Sequence, residues 1–333
     1  MTSTILRHRD KKNFFGLDSN EEGISDLRQF IESRKMDYNV IPVASSFSWK
    51  GETKSADGQF HLVRESDGVN VEPHTVSKDY SVITPLDMIE ELIPFVDQGW
   101  AMPEAAFQLR GGQTEIISLL LDPGELPAEI AGNEDIRWYI VAKNKHGRGA
   151  AECSVYGERI ICGNGMTALA RLSTFRVAHR GQAADKYKRA ARHFQGIKDV
   201  ISEMSNRMGL YMDIPLSHVQ AEMMADSVVG FQDARKIDFK PAKVDRTKEG
   251  DMSPQQRNLH AAIMDAFNMP RFGTEGKTAL DFYNGVTWVG THWTPERSKL
   301  DDRAITQGLL DGTRGKREML TLDTLDAYAE SLS

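Results

Sequence analysis

Cysteine is nearly missing from this 333-residue chain, which holds only Cys153 and Cys162. Both lie in one strand-like run, which suits neither a disulfide framework nor a thiolate metal site, so they read as core thiols in a reducing cytoplasm. Long apolar runs are absent too. The longest, such as Ile116 to Leu121, are strand-sized, far short of the roughly 20 residues of a membrane helix, and no membrane contact is expected. Met1 to Asp10 carries charge and no apolar stretch, so these residues do not read as a secretory signal. The nine histidines show no zinc-helix or zinc-finger spacing. Carboxylates are plentiful, but none cluster with a partner base, and no Gly-x-Ser-x-Gly elbow occurs. No metal, cofactor or catalytic residue is therefore expected, and a binding protein is expected before an enzyme. His292, between Trp288 and Trp293, reads as a structural histidine.

What is present is enough apolar residue, 40%, to bury one large core or two ordinary ones. The net charge of -7 argues against a protein that coats duplex DNA by bulk charge. Any nucleic-acid contact has to come from a local patch.

Along the chain, residues 1–20 read as a flexible lead-in. Ile24, Leu27, Phe30 and Ile31 recur at helical spacing within Glu21 to Met36. Tyr38 to Trp49 reads extended, Phe60 to Val71 alternates around the hairpin dipeptide Asp67-Gly68, and Val76 to Ile83 reads as another strand. Thr84-Pro85 opens a helix expected to run to Gln98-Gly99. Ala106 to Leu121 reads as two strands about Gly111-Gly112. The runs from Ile136 and from Ala151 form a hairpin across Lys145 to Gly149. Further helices are expected from Gly196 to Met208 and from Leu216 to Val229. Residues 231–258 alternate in charge with few apolar residues and read as an exposed linker. Beyond it, Leu259 to Phe267, Thr278 to Val289 and Arg303 to Leu310 read as helical. The expected architecture is α+β: an antiparallel sheet with packed helices over residues 21–230, then a mainly helical region over 259–333.

Gly276-Lys277-Thr278 invites a phosphate-loop reading. The required glycine five residues before Gly276 is replaced by Arg271, and the upstream segment reads as a helix, so an ordinary turn is expected. Gly163-Asn164-Gly165 reads as a strand-to-helix turn, with backbone N–H groups that could meet an anion.

The strongest local signal follows that turn. A helical pattern is expected from Met166, carrying Arg171, Arg176, Arg180, Lys186, Lys188, Arg189, Arg192 and Lys198, with Asp185 as the one acid before Asp199. A positive stripe on an acidic protein is the usual footprint of a polyanion site. Tyr187 and Phe194 lie among the cations, where they could stack on bases or form the helix's core face.

Several segments resemble one family, the phage/plasmid-like family of unknown function (domain of unknown function 932). They are Val76 to Ile83; Leu109-Arg110-Gly111-Gly112; Arg159 to Gly165; Ala178-His179-Arg180; and Thr278 to Thr287, followed by His292. Two departures mark a divergent member: Leu280-Asp281 stands where a tryptophan–glycine pair is common, and Gly163 precedes the asparagine. The resemblance implies a mobile-element origin and brings no catalytic residues. In arrangement, a helix ending at Gly99-Trp100, strand hairpins and a long basic helix are also similar to Rad52-like single-strand annealing proteins, which hold DNA in a basic groove.

The resulting expectation is a cytoplasmic, phage- or plasmid-encoded protein that binds nucleic acid, single-stranded DNA first, in replication or recombination. The named cations would contact phosphates, and Tyr187 and Phe194 would stack. The competing expectation is a basic patch that docks a host protein or builds a homo-oligomer without nucleic acid.

Overall fold

The computed structural model describes residues 20, 23–122, 136–161, 166–192, 197–230, 233, 237–239, 252–269, 277–292 and 313–332. It is α+β. Helix α1 (Leu27–Ser33) starts at an Asp26 cap, whose carboxylate accepts from the Gln29 N–H, and turns Leu27, Phe30 and Ile31 into the core. A three-stranded sheet in the order β1-β2-β3 follows: β1 (Val40–Trp49), β2 (Glu52–Arg64) and β3 (Val76–Ser77). β1 and β2 join through Lys50 and Gly51, both at positive φ, a two-residue hairpin that the sequence did not announce. The turn expected at Asp67-Gly68 is present. Gly68 sits at φ 72°, and the chain doubles back so that the Arg64 N–H donates to the Val69 carbonyl.

The strand expected over Val76 to Ile83 stops at Ser77, because the Tyr80 N–H turns back to the Ser77 carbonyl. The single helix expected from Thr84 to Gln98 is two short ones, α2 (Pro85–Ile89) and α3 (Ile93–Asp97). Thr84 and Asp87 form the expected capping box. Pro94 accounts for the break: it has no N–H to offer the Glu90 carbonyl, so an uninterrupted helix would lose that bond.

Next comes a five-stranded antiparallel meander: β4 (Ala101–Leu109), β5 (Thr114–Leu121), β6 (Ile136–Lys145), β7 (Ala150–Ile161) and β8 (Met166–Ala178). β8 overturns the expected long basic helix. It pairs with β7 from Ala150–Ala178 to Ile161–Met166, with one bulge opposite Val155 and Tyr156. Alternation explains the outcome: Val177 is buried and Phe175 packs inward while Arg176 between them is exposed, a period of two rather than 3.6.

One face of the meander, with Ile117, Leu119, Trp138, Ile140, Ala151, Cys153 and Val155, joins a single core reaching from Leu27 to Tyr328. Burial pushes the Cys153 thiol up to about 12, in keeping with an inert core residue. The other face buries Phe107, Ile116, Tyr139, Val141 and Tyr156. At Gly157 of β7 an added Cβ would approach the Trp138 ring to 2.7 Å, so only glycine lets that indole lie against the strand.

Helices complete the layer: α4 (Ala183–Arg192), α5 (Ile197–Asp213), α6 (His218–Val228), α7 (Pro254–Asn268), α8 (Ala279–His292) and α9 (Thr313–Ser331). α8 is central, touching α5, α7, α9 and β8. Gly285 of α8 lies where a Cβ would come within 3.1 Å of the Phe267 backbone, which lets α7 and α8 cross closely. α7 begins at Pro254 behind a Ser253–Gln256 capping box, inside the segment read as linker. Phe239, from the same segment, is buried against Tyr328. Residues 231–232, 234–236 and 240–251 of that segment, residues 1–19 and the helix expected over Arg303 to Leu310 lie outside the described residues.

Candidate functional site

Three turns meet at one end of the five-stranded sheet. The first, Arg110-Gly111-Gly112 between β4 and β5, holds all three residues at positive φ. An added Cβ at Gly112 would meet Val71 at 3.0 Å and the Tyr38 hydroxyl at 3.4 Å. The second is Lys145 to Gly149 between β6 and β7. Gly147 there has φ 71°, and a Cβ would strike the Glu72 carboxylate. The third is the exit of β8 at His179-Arg180-Gly181, bridged to Tyr80.

Beneath these turns lies a buried polar network centred on Glu115 of β5. Its carboxylate accepts from the Tyr38 hydroxyl at 2.7 Å and from Asn144 Nδ2 at 2.9 Å, and it lies 3.6 Å from His146 Nε2. Asn144 Nδ2 also reaches the Ile83 carbonyl at 2.8 Å. The Tyr80 hydroxyl is 3.2 Å from His146 Nδ1 and accepts from the Gly147 N–H. His179 stacks on Tyr80 with centroids 4.9 Å apart, and its two ring nitrogens face the carbonyls of Ser81 and Lys145 at 3.1 and 3.0 Å. Those carbonyls favour the protonated ring. Burial outweighs them, and with His146 nearby it lowers the His179 pKa to about 4. Burial and the Glu115 charge push the Tyr38 hydroxyl far up, and burial does the same at Tyr80. These groups are closed in, so the network fixes the turns rather than meeting a ligand.

Cations stand on the outside of the same end. Lys78, Arg110, Arg148, Arg180 and Lys186 are exposed, and none has a carboxylate within ion-pair distance among the described residues. Lys186 Nζ donates to the Arg180 carbonyl at 3.0 Å, which ties α4 to the β8 exit. Lys78, Arg110 and Arg148 were not among the cations singled out in the sequence. The turns that gather them come from residues 70 apart, a proximity that no local window reveals.

The residues expected to form one basic helix are divided among three elements. Arg171 and Arg176 belong to β8, Arg180 to its exit, Lys186, Lys188, Arg189 and Arg192 to α4, and Lys198 to α5. Arg176 and Arg189 are exposed. Lys188 is not free: its ammonium pairs with Glu90 at 2.5 Å and Asp87 at 3.7 Å, and the Glu90 bond raises its pKa. Asp185, one turn earlier on the same helix, adds a weaker attraction; the ion-pair partners come from α2 and the residue after it. Tyr187 cannot stack on bases. It is fully buried, one turn after buried Ala183, and meets Phe175 edge-on at 5.2 Å. The side chains of Arg171, Arg192 and Lys198 and all of Phe194 lie outside the described residues, as do Gly163-Asn164-Gly165 and the His292 side chain.

Lys277, from the Gly-Lys-Thr tripeptide, donates to the Phe267 carbonyl and lies 4.9 Å over the Phe267 ring, so its charge is engaged within the fold. Thr278 and Asp281 cap α8. In the helical region, Glu318 is buried beside a small apolar cavity lined by Leu259, Ile263, Val286 and Val289. Burial raises its pKa well above the usual carboxylate range. Among the described residues no His, Cys, Asp and Glu cluster could hold a metal, and no helix is long and apolar enough to cross a membrane.

No curated protein and no solved structure matches the chain. Three of the five segments singled out in the sequence, Val76 to Ile83, Leu109 to Gly112 and Ala178 to Arg180, converge on the turn cluster, and a fourth forms α8. A family model described as a domain of unknown function, DUF932, matches residues 73–307 and so spans both; the chain belongs to that family.

Proposed function

We propose that this protein binds nucleic acid, single-stranded DNA before duplex, through the turns at the end of the five-stranded sheet. The observation that carries the reading is the exposure of Lys78, Arg110, Arg148, Arg180 and Lys186 together, without carboxylate partners among the described residues, on a chain of net charge -7. Exposed cations without carboxylate partners can displace counterions from a phosphate backbone, the usual source of such affinity. The stiff network below serves such a surface, because cations on fixed turns lose less freedom when they meet phosphates. A role in replication or recombination of a phage or plasmid, strand annealing included, is the setting this reading fits.

Fluorescence anisotropy with labelled single-stranded and duplex DNA across a salt series tests it. Five phosphate contacts give a log–log salt slope of about -3.5 for single strands. Absence of binding at low salt removes the reading.

A further inference from the structure

The β1–β2 hairpin beyond Ser46 and Ser55 forms an exposed arm. From Ser46 to Gly58 every position is exposed except half-buried Ala56. Phe47 is 50% exposed and Trp49 57%, and as residues i and i+2 of one strand they share a face. Nearer the core, Ile41 and Val43 are also open. β1 is the sheet's edge, and Val40 to Trp49 contains no charged residue in a chain that is 27% charged. Soluble proteins usually protect a long edge strand with charge, proline or a covering element. Pro42 gives that protection only near the core. The Leu62 carbonyl accepts from Val71, so Leu62 and its register partner Pro42 turn their backbones away from each other, and the missing N–H falls on the open edge. The outer half has no such guard.

We infer that the arm is a self-association surface, and that its occupant is the arm of a second copy of this chain. Charge selects this occupant. Glu52 stands directly across from Trp49 and Lys54 across from Phe47, and the two pair at 3.7 Å, so the aromatic face carries charges of both signs, a pattern that complements a copy of itself rather than a partner of one sign. β1 itself is neutral, and Lys50 of one copy can approach Glu52 of the other. Area agrees. An aromatic side chain offers about 150–250 Å², so the half-open Phe47 and Trp49 leave about 200 Å², and Ile41 and Val43 bring this to about 300 Å². Two copies then bury about 600 Å² of apolar surface, and with the polar share of an ordinary interface about 1,100 Å² in all, near the lower limit for a specific contact. A contact of this size fits a weak dimer whose population depends on concentration.

Size-exclusion chromatography with light scattering on the full chain, from about 1 to 100 μM, decides the matter. The expected result is a mass rising from 37.3 kDa toward twice that value, and an F47S/W49S variant that stays at 37.3 kDa with an unchanged Tm. A wild type that remains monomeric at 100 μM, or a dimer that persists in the variant, overturns the inference. So does a monomeric wild type whose single-strand affinity falls in the variant, which would make the arm a base-stacking platform.

Discussion

Glu115 and His146 lie side by side with their side chains completely closed to solvent, His146 Nε2 3.6 Å from Glu115 Oε1. Tyr38, Asn144 and His146 all depend on that one carboxylate, and the turns that carry Arg110 and Arg148 depend on them. Replacing Glu115 by Ala strands two buried donors and an imidazole, at about 1–3 kcal/mol each before relaxation. A net loss of about 3–5 kcal/mol in urea unfolding is expected, with E115Q intermediate. A change below 1 kcal/mol for E115A would show that the network holds nothing in place.

His179 makes stability fall in mild acid. Its folded pKa, about 4, lies below the unfolded value near 6.5, so the unfolded chain binds the proton more readily. The contribution is whole above pH 6.5 and diminishes as pH falls toward 4. Between pH 6.5 and 5 the urea midpoint should drop by the equivalent of about 1–2 kcal/mol. H179Q should flatten that part of the profile; an unchanged slope would assign it to another group.

Glu318 acts in the opposite direction. Its folded pKa is raised, so its favourable contribution is full below the unfolded value near 4.3 and is lost as pH rises. E318Q should therefore stabilise the protein by about 1–3 kcal/mol at pH 8 and by little at pH 4. Thermal unfolding at the two pH values measures the difference, and equal shifts at both would contradict burial of the charge as its cause.

Gly157 admits the Trp138 ring that fills the sheet's inner face. G157A should cost about 2–3 kcal/mol, since neither the strand backbone nor a fully buried indole has room to yield. A cost under 0.5 kcal/mol would show that the indole shifts freely.

The fold class, the β4–β5 and β6–β7 hairpins, the Thr84 cap and the central helix α8 were legible in the sequence, because each rests on local chemistry. The long basic helix was misread for a definite reason. Its cations dominate the local composition, whereas Phe175, Arg176 and Val177 alternate with the two-residue period of a strand. Pro94 was a visible stop that the apolar spacing around it masked. Lys188, expected to contact phosphate, has its acids on α2 and at Glu90, and Tyr187 meets Phe175 from β8. Such pairings join distant segments and leave no mark on a local pattern. The network of Glu115, Asn144 and His146 was hidden for the same reason. Glu115 lies on the inward face of a strand that otherwise reads apolar, and only the convergence of three family segments hinted that the sheet end is special.

The most direct test of the nucleic-acid reading compares the wild type with R148E/R180E/K186E for single-strand affinity at one low salt concentration, with unfolding curves to confirm the fold. Removing three of five phosphate contacts and reversing their charge should weaken binding at least 100-fold and cut the salt slope by about 2. An unchanged affinity in a folded triple variant would contradict the assignment of this surface.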